Sequence, residues 1–316
     1  MPTQFFADPT TEQGPPLEMA ALIERFTGRD GTHETAIAPL RLLRRSTRLE
    51  PVYGVQKPSL CLIAQGSKQV MLGDNLFVYD AARFLLLAVD LPVTGQVLEA
   101  SPQMPYLSLC LDIDPAQIST LITEADLPSS PSPPVLGRGI AVGCIDALLH
   151  DAMLRLLRLL ERPQHIGVMA PLVIREILFL LLVGEQGAAL RRIAFADRET
   201  EGIVDTIARL KRDFAEPLRM DALARDAHMS LSVFHHHFKA MTALTPLQYQ
   251  KRLRLQEARR LMLAQDLDAA SAGFLVGYES PSQFSREYRR LFGDSPQRDR
   301  TRLRSHSPAI SMQAQP

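Results

Sequence analysis

The sequence predicts a two-domain α+β chain. An antiparallel β-barrel with accompanying helices forms the N-terminal half, and an all-α domain with two helix-turn-helix units follows. Three observations predict this. From Leu40 to Asp112, short apolar runs alternate with turn residues, the texture of many closely spaced strands. Beyond Gly187 the apolar spacing is helical throughout. Within that helical part, two stretches fifty residues apart spell one short unit.

Residues 1–35 are polar and punctuated by Pro and Gly, with one helix expected near Leu17–Phe26. Strand signals follow: Ser59–Ala64 before Gln65-Gly66-Ser67, Gln69–Leu72 before Gly73-Asp74-Asn75, then Leu76–Tyr79, Arg83–Val89, Val93–Leu98 and Tyr106–Leu111. Gly66, Gly73 and Gly95 are the expected turn glycines. Helical spacing begins at Pro115–Glu124. A Pro/Ser linker follows at 128–134, then two strong helices at Cys144–Glu161 and Val168–Val183. These read as an antiparallel pair, which could also supply a dimer contact. Thr200–Phe214 is one amphipathic helix, Met220–Asp226 opens the first helix-turn-helix, Pro246–Leu263 is a long connector, and Ala269–Val276 leads into the second unit. The boundaries expected are a segment 1–35, a barrel domain 36–190, a linker 191–200, the helical domain 201–304 and a disordered tail 305–316.

The repeat carries the chemistry. Its first copy runs from Ser230 to Met241 and is followed by Thr245-Pro246; its second runs from Ser280 to Leu291 and is followed by Ser295-Pro296. Wound at about 100° per residue, Phe234, Phe238 and Met241 share one face, as do Phe284, Tyr288 and Leu291. The opposite arcs hold Ser232, His235, His236 and Lys239 in one copy, and Ser282, Ser285, Arg286 and Arg289 in the other. Apolar anchors inside and polar donors outside are how a recognition helix is built. Arg286 and Arg289 can bridge guanine O6 and N7, while His235, His236, Ser232, Ser282 and Gln283 read bases less selectively. Ser230 and Ser280 fall where N-caps belong. The connector is expected to bury Leu247, Leu255, Ala258, Leu261 and Met262, with Lys251, Arg252, Arg254, Arg259 and Arg260 around the rest. At roughly 27 Å plus the lateral offset of the units, it suits two helices about one DNA turn apart.

Composition sets bounds. The 316 residues carry no net charge, yet residues 201–304 hold roughly +5 against roughly −5 elsewhere, a split expected of an attached nucleic-acid module. Cys61, Cys110 and Cys144 are widely spaced and read as small hydrophobes of a reducing compartment. No signal peptide is evident at the N-terminus, and the apolar run Ile177–Val183, bounded by Glu176 and Glu185, is too short to span a bilayer. A cytoplasmic protein with no membrane partner is expected. Consecutive His235, His236 and His237 point about 100° apart and cannot converge on one ion, so no metal is expected there.

On these residues the chain resembles the AraC-type transcriptional regulators. Arg252–Leu261 is similar to their linker helix, and Val276–Tyr288 with Phe292-Gly293 to their second helix-turn-helix signature. The N-terminal half is similar to the family's characteristic N-terminal domain at Lys57–Cys61, Gln65–Lys68, Asp90–Val93, Pro105–Leu107, Ala170–Leu172, Arg175–Leu178 and Gly184–Ala188. The resemblance implies a cupin-like barrel that senses or regulates, joined to paired helix-turn-helix units. It places base contacts on Ser232, His235, His236, Lys239, Ser282, Gln283, Ser285 and Arg286. Lys251, Arg252, Arg259 and Arg289 form the phosphate set. Gly273 departs from the usual alanine and His236 from a common arginine, which implies a softer second unit and a weaker or pH-sensitive contact.

The function expected is therefore sequence-specific DNA binding in transcriptional control, modulated by a small molecule through the barrel, with double-stranded DNA as partner, a homodimer in view, and RNA polymerase if the protein activates. Tyr53, Phe77, Phe84 and Tyr106 could line an effector pocket or be plain core. A scaffold barrel that only dimerises is the alternative. A cupin enzyme is disfavoured: no histidine lies between Glu34 and Leu149, and no nucleophile elbow, Walker loop or dinucleotide fingerprint occurs. No catalytic residue and no cofactor is expected.

Overall fold

The computed structural model describes residues 14–48, 50–126, 138–185, 187, 190, 191 and 198–305. The expected Pro/Ser linker at 128–134, most of the 191–200 linker and most of the tail lie outside them. Among these described residues, ten strands make two antiparallel sheets. The six-stranded sheet runs β1 (Gly31–Glu34), β2 (Leu40–Arg45), β9 (Tyr106–Asp112), β4 (Ser59–Gln65), β7 (Arg83–Leu87) and β10 (Ile140–Cys144). The four-stranded sheet runs β3 (Val52–Gln56), β8 (Leu91–Glu99), β5 (Ser67–Leu72) and β6 (Asn75–Tyr79).

Why β4, β7 and β9 of the larger sheet read as continuous apolar runs, and not as alternation, follows from their two buried faces. Leu40, Leu42, Leu60, Leu62, Phe84, Leu86, Leu109 and Leu111 pack against helices. Ile63, Leu85, Leu87 and Ile140 point the other way, onto Val70, Leu72, Leu91, Val93 and Val97 of the second sheet. Each such leucine withdrawn from water contributes about 1.5–3 kcal/mol. Gly66 and Gly73 take positive φ (+87° and +62°) at turns. Gly95 does not. It pairs with Val52 and Val70 inside β8, where a Cβ would crowd the Lys68 side chain.

The helical layer consists of α1 (Gly14–Thr27), α2 (Pro115–Glu124), α3 (Ala147–Arg158) and α4 (Pro163–Val183). The N-terminal helix is no separate segment: Met19, Leu22 and Ile23 are core residues of the barrel domain. The sequence understated α4. It extends N-terminally from the short apolar run to 21 residues, long and apolar enough by composition to cross a membrane. Its Ala170, Val173, Ile174, Ile177, Leu178, Leu181 and Leu182 nevertheless fill the core beneath the sheet, and Arg175 and Glu176 pair with Glu124 and Arg155.

From residue 198 to residue 305 come α5 (Arg198–Arg212), α6 (Met220–Asp226), α7 (Leu231–Thr242), α8 (Pro246–Ala264), α9 (Ala269–Leu275), α10 (Pro281–Phe292) and α11 (Pro296–Ser305). Two cores divide them. Ile203, Ile207, Leu210, Leu223, Phe234, Phe238, Met241, Tyr249 and Leu253 belong to one apolar cluster with the barrel interior. Leu255, Ala258, Leu261, Met262, Val276, Tyr278, Phe284, Tyr288 and Phe292 form the other. α8 thus serves the first unit with its N-terminal half and the second with its C-terminal half. Leu247, expected inside, is 49% exposed, while Tyr249 and Leu253 take the inward positions.

The barrel touches both units. The Gly139 amide donates to the Met241 carbonyl (2.8 Å), and Tyr249 Oη donates to the Asp90 carbonyl (2.7 Å). Lys211 Nζ lies 2.7 Å from the Asp90 carboxylate. At the second unit, Tyr53 of β3 meets Phe292 edge-on at 4.7 Å, and Glu50 pairs with Arg302.

Candidate nucleic-acid interface

Each recognition helix is placed by local chemistry. Ser230 and Ser280 cap α7 and α10, their hydroxyls accepting from the amides of Val233 and Gln283. The turn before each cap needs a left-handed residue, supplied by His228 (φ +56°) and Gly277 (φ +89°). At the far ends the same conformation recurs, at Ala243 (φ +58°) and Gly293 (φ +82°). Thr245 then closes a capping box with Gln248 that starts α8.

The inner arcs are buried. Phe238 lies between Phe234 and Tyr249, with ring centroids 5.9 and 5.6 Å away. Phe284 lies between Tyr278 and Tyr288 at 5.3 and 5.5 Å. Phe292, not Leu291, completes the second anchor; Leu291 is only partly buried. Gly273 gains a reason here. A Cβ on it would stand 3.1–3.4 Å from the Phe284 side chain, so the glycine lets that ring sit close.

The outer arcs stay open. Ser232, His236 and Lys239 are exposed and His235 partly so; Ser282, Gln283, Ser285, Arg286 and Arg289 are all exposed. Gln283 also reaches Glu287 at 3.3 Å.

The four phosphate candidates separate. Arg289 remains on the open face. Lys251 pairs with Glu287 at 2.7 Å, and Tyr278 Oη donates to the same carboxylate at 2.9 Å. Burial tends to raise Glu287, but Lys251, Tyr278 and Gln283 hold it below the usual carboxylate range. Arg252 turns toward the barrel: burial lowers its pKa, partly offset by Asp74 and Tyr53. Arg259 corrects the sequence reading. Its guanidinium donates to both oxygens of the fully buried Asp299 (2.8 and 3.2 Å) and stacks over Phe292 and Tyr53 at 4.7 and 5.1 Å. Those bonds hold the second unit together and direct the cation inward.

Arg254, read only as surface charge, is a staple. It donates to the carbonyls of Phe214, Ala215, Glu216 and Gly277 at 2.7–3.1 Å. Gln250 adds bonds to Phe214 and Glu216. One helix thereby grips the loop before the first unit and the turn inside the second.

The suggested effector residues do not line one cavity. Phe84 faces the helical core and Tyr106 the barrel interior, on opposite sides of the sheet. Phe77 is partly buried on β6, and Tyr53 packs into the second helix-turn-helix unit. Burial pushes both Tyr79 and Tyr106 up in the barrel interior.

Residues 36–189 match the model of the AraC-type transcriptional regulator N-terminus, and residues 223–302 that of a helix-turn-helix domain. The HTH-type transcriptional activator RhaS of Escherichia fergusonii is 37% identical over 125 residues, 39% of this chain and 44% of that protein. RhaS of Salmonella agona is 35% identical over 146 residues, 45% of this chain and 51% of that protein. The chain thus spans about half the length of these relatives. Among solved structures, ToxT from Vibrio cholerae O395 superposes with a TM-score of 0.51 at 11% identity, covering 84% of this chain and 97% of ToxT, a likeness of fold. With both halves matched and both helix-turn-helix units built as described, this chain belongs to the AraC-type transcriptional regulators.

Proposed function

We propose that the chain binds double-stranded DNA sequence-specifically, with α7 and α10 entering successive major grooves, and so controls transcription. The observation that carries this is the division of both helices: apolar arcs buried on a shared rod, polar arcs open. Ser232, His235, His236, Lys239, Ser282, Gln283, Ser285 and Arg286 are the proposed base readers. Arg289 faces phosphate. Lys251 can join it, because its half-exposed pair with Glu287 is worth only about 0–1 kcal/mol and is readily exchanged. Arg259 is withdrawn from the phosphate set. A regulator that reads DNA works where the DNA is, which supports a cytoplasmic location.

Replacing Arg286 with alanine is expected to weaken specific binding by about 1–3 kcal/mol and to relax sequence choice at one position. Selection of bound sites from random DNA by the purified protein reads both effects; an unchanged site preference would remove Arg286 from the reading set.

The barrel is proposed to modulate this activity through a small molecule. Two observations support it: a structure of ToxT holds a naphthyl-substituted butenoic acid on a similar fold (TM-score 0.52), and the barrel interior carries the Tyr79–Tyr106 pair. A thermal shift of the full chain across a metabolite panel tests this, and no shift with any compound favours the scaffold reading. A homodimer is proposed through α4, whose exposed Val168, Leu172, Phe179 and Val183, four, seven and four residues apart, share one helix face. Sedimentation velocity reads that state directly.

A further inference from the structure

Cys61 on β4 and Cys110 on β9 are register partners in neighbouring antiparallel strands. They are 49 residues apart in sequence, yet their sulfurs lie 3.1 Å apart. Cys110 is buried, 5% exposed, and Cys61 is partly accessible. The sulfurs are surrounded by donors. Arg41 Nη2 donates toward Cys110 Sγ at 3.8 Å and Gln56 Nε2 at 3.6 Å, while Ser59 Oγ lies 3.9 Å from Cys61 Sγ. Arg41 is held in place by its ion pair with Asp112.

Two buried structural thiols need none of this. An apolar pocket would keep both protonated and inert. Here the Cys110 thiol bonds to Cys61 and outweighs burial; with Lys68, Ser59 and Arg41 it brings the Cys61 thiol down to about 7. The same bond, with burial, pushes Cys110 well up. Cys61, the partly exposed residue of the pair, is therefore the sulfur drawn toward the thiolate, and Cys110 the protonated neighbour already in contact. A disulfide needs the sulfurs at about 2.0 Å, a closure of about 1 Å from the present separation.

We propose that Cys61 and Cys110 form a peroxide-reactive dithiol site that closes to an internal disulfide. The Cys61 thiolate attacks one oxygen of a hydroperoxide, forming an S–O bond and breaking the O–O bond. The alkoxide or hydroxide released takes a proton from water, leaving Cys61 as a sulfenic acid. Cys110 sulfur then attacks Cys61 sulfur, its proton leaves with the displaced hydroxyl as water, and the S–S bond forms. The sum is two thiols and one hydroperoxide giving one disulfide, one alcohol (water, for hydrogen peroxide) and one water. A thiol reductant reverses it. The bond would lie in the middle of the six-stranded sheet, on the face that shares its core with the first helix-turn-helix unit.

The test uses the full chain carrying Cys144→Ser, which removes the exposed third thiol. The folded protein is treated with hydrogen peroxide, denatured in excess N-ethylmaleimide and weighed intact. The expected product has lost about two mass units, carries no maleimide, yields a peptide linking Cys61 to Cys110, and regains two maleimides after dithiothreitol. Linkage should be about tenfold slower in urea, where the fold no longer holds the pair. With Cys110→Ser as well, Cys61 should be trapped as a dimedone-reactive sulfenic acid. Maleimide on both cysteines after peroxide that fully oxidises a control dithiol overturns the proposal. So does equal linkage in urea and in buffer.

Discussion

Replacing Asp299 with alanine is expected to cost about 3–5 kcal/mol, the usual consequence of stranding one member of a buried ion pair. The carboxylate is fully buried and accepts from Arg259, from Tyr288 Oη at 2.8 Å and from Arg302 at 2.6 Å. Removing it leaves a guanidinium and a phenol without an acceptor inside an apolar cluster. Circular dichroism through a urea titration of the full chain measures the loss, and a change below about 1 kcal/mol would show the pair to be incidental. Replacing Arg259 and Asp299 together with apolar residues should recover much of it, since a filled apolar site avoids desolvating either charge. A pH dependence accompanies this. Burial opposes ionisation of Asp299, but Arg259, Tyr288 and Arg302 outweigh it and hold its pKa below the ordinary 3.8. The stabilisation is therefore complete above that ordinary value and is lost as pH falls through the lower folded one. The second helix-turn-helix unit should loosen in that acidic window.

The second large effect is expected at Arg254. Arg254→Met retains much of the aliphatic stem and removes the donors to four carbonyls on two separate turns. Hydrogen bonds from a charged donor contribute about 1.5–3 kcal/mol singly and do not add in full, so a loss of about 2–4 kcal/mol is expected. The functional consequence is sharper. Without the staple the two recognition helices lose their fixed offset, so affinity for a two-part DNA site should fall more than affinity for either half. Gel-shift titrations on whole and half sites measure this; equal losses on both would mean that Arg254 acts on stability alone.

The helical domain was legible because its signals are local. Caps at Ser230 and Ser280, Phe and Tyr at four-residue spacing, and a Ser/Thr-Pro stop all lie within one helix length. The barrel was legible as texture only, for its runs are apolar on both faces and do not reveal which residue faces which core. That is why Phe84 and Tyr106 looked like neighbours in one pocket. Long-range partners were illegible for the same reason. Arg259 and Asp299 lie forty residues apart, and a cation on an otherwise basic helix gives no sign of a carboxylate arriving from α11, three helices on. Cys61 and Cys110 meet only through the β4–β9 register, which no spacing encodes.

Gly73, Gly139 and Asp90 bear directly on Ala243, Leu244, Met241 and Tyr249. Cutting the chain between its halves would therefore wet a surface designed to be dry, and a transplanted C-terminal half would need a host whose loops present the same small residues. Chimeras that exchange regulatory halves within the family should succeed only when these seats are exchanged along with them.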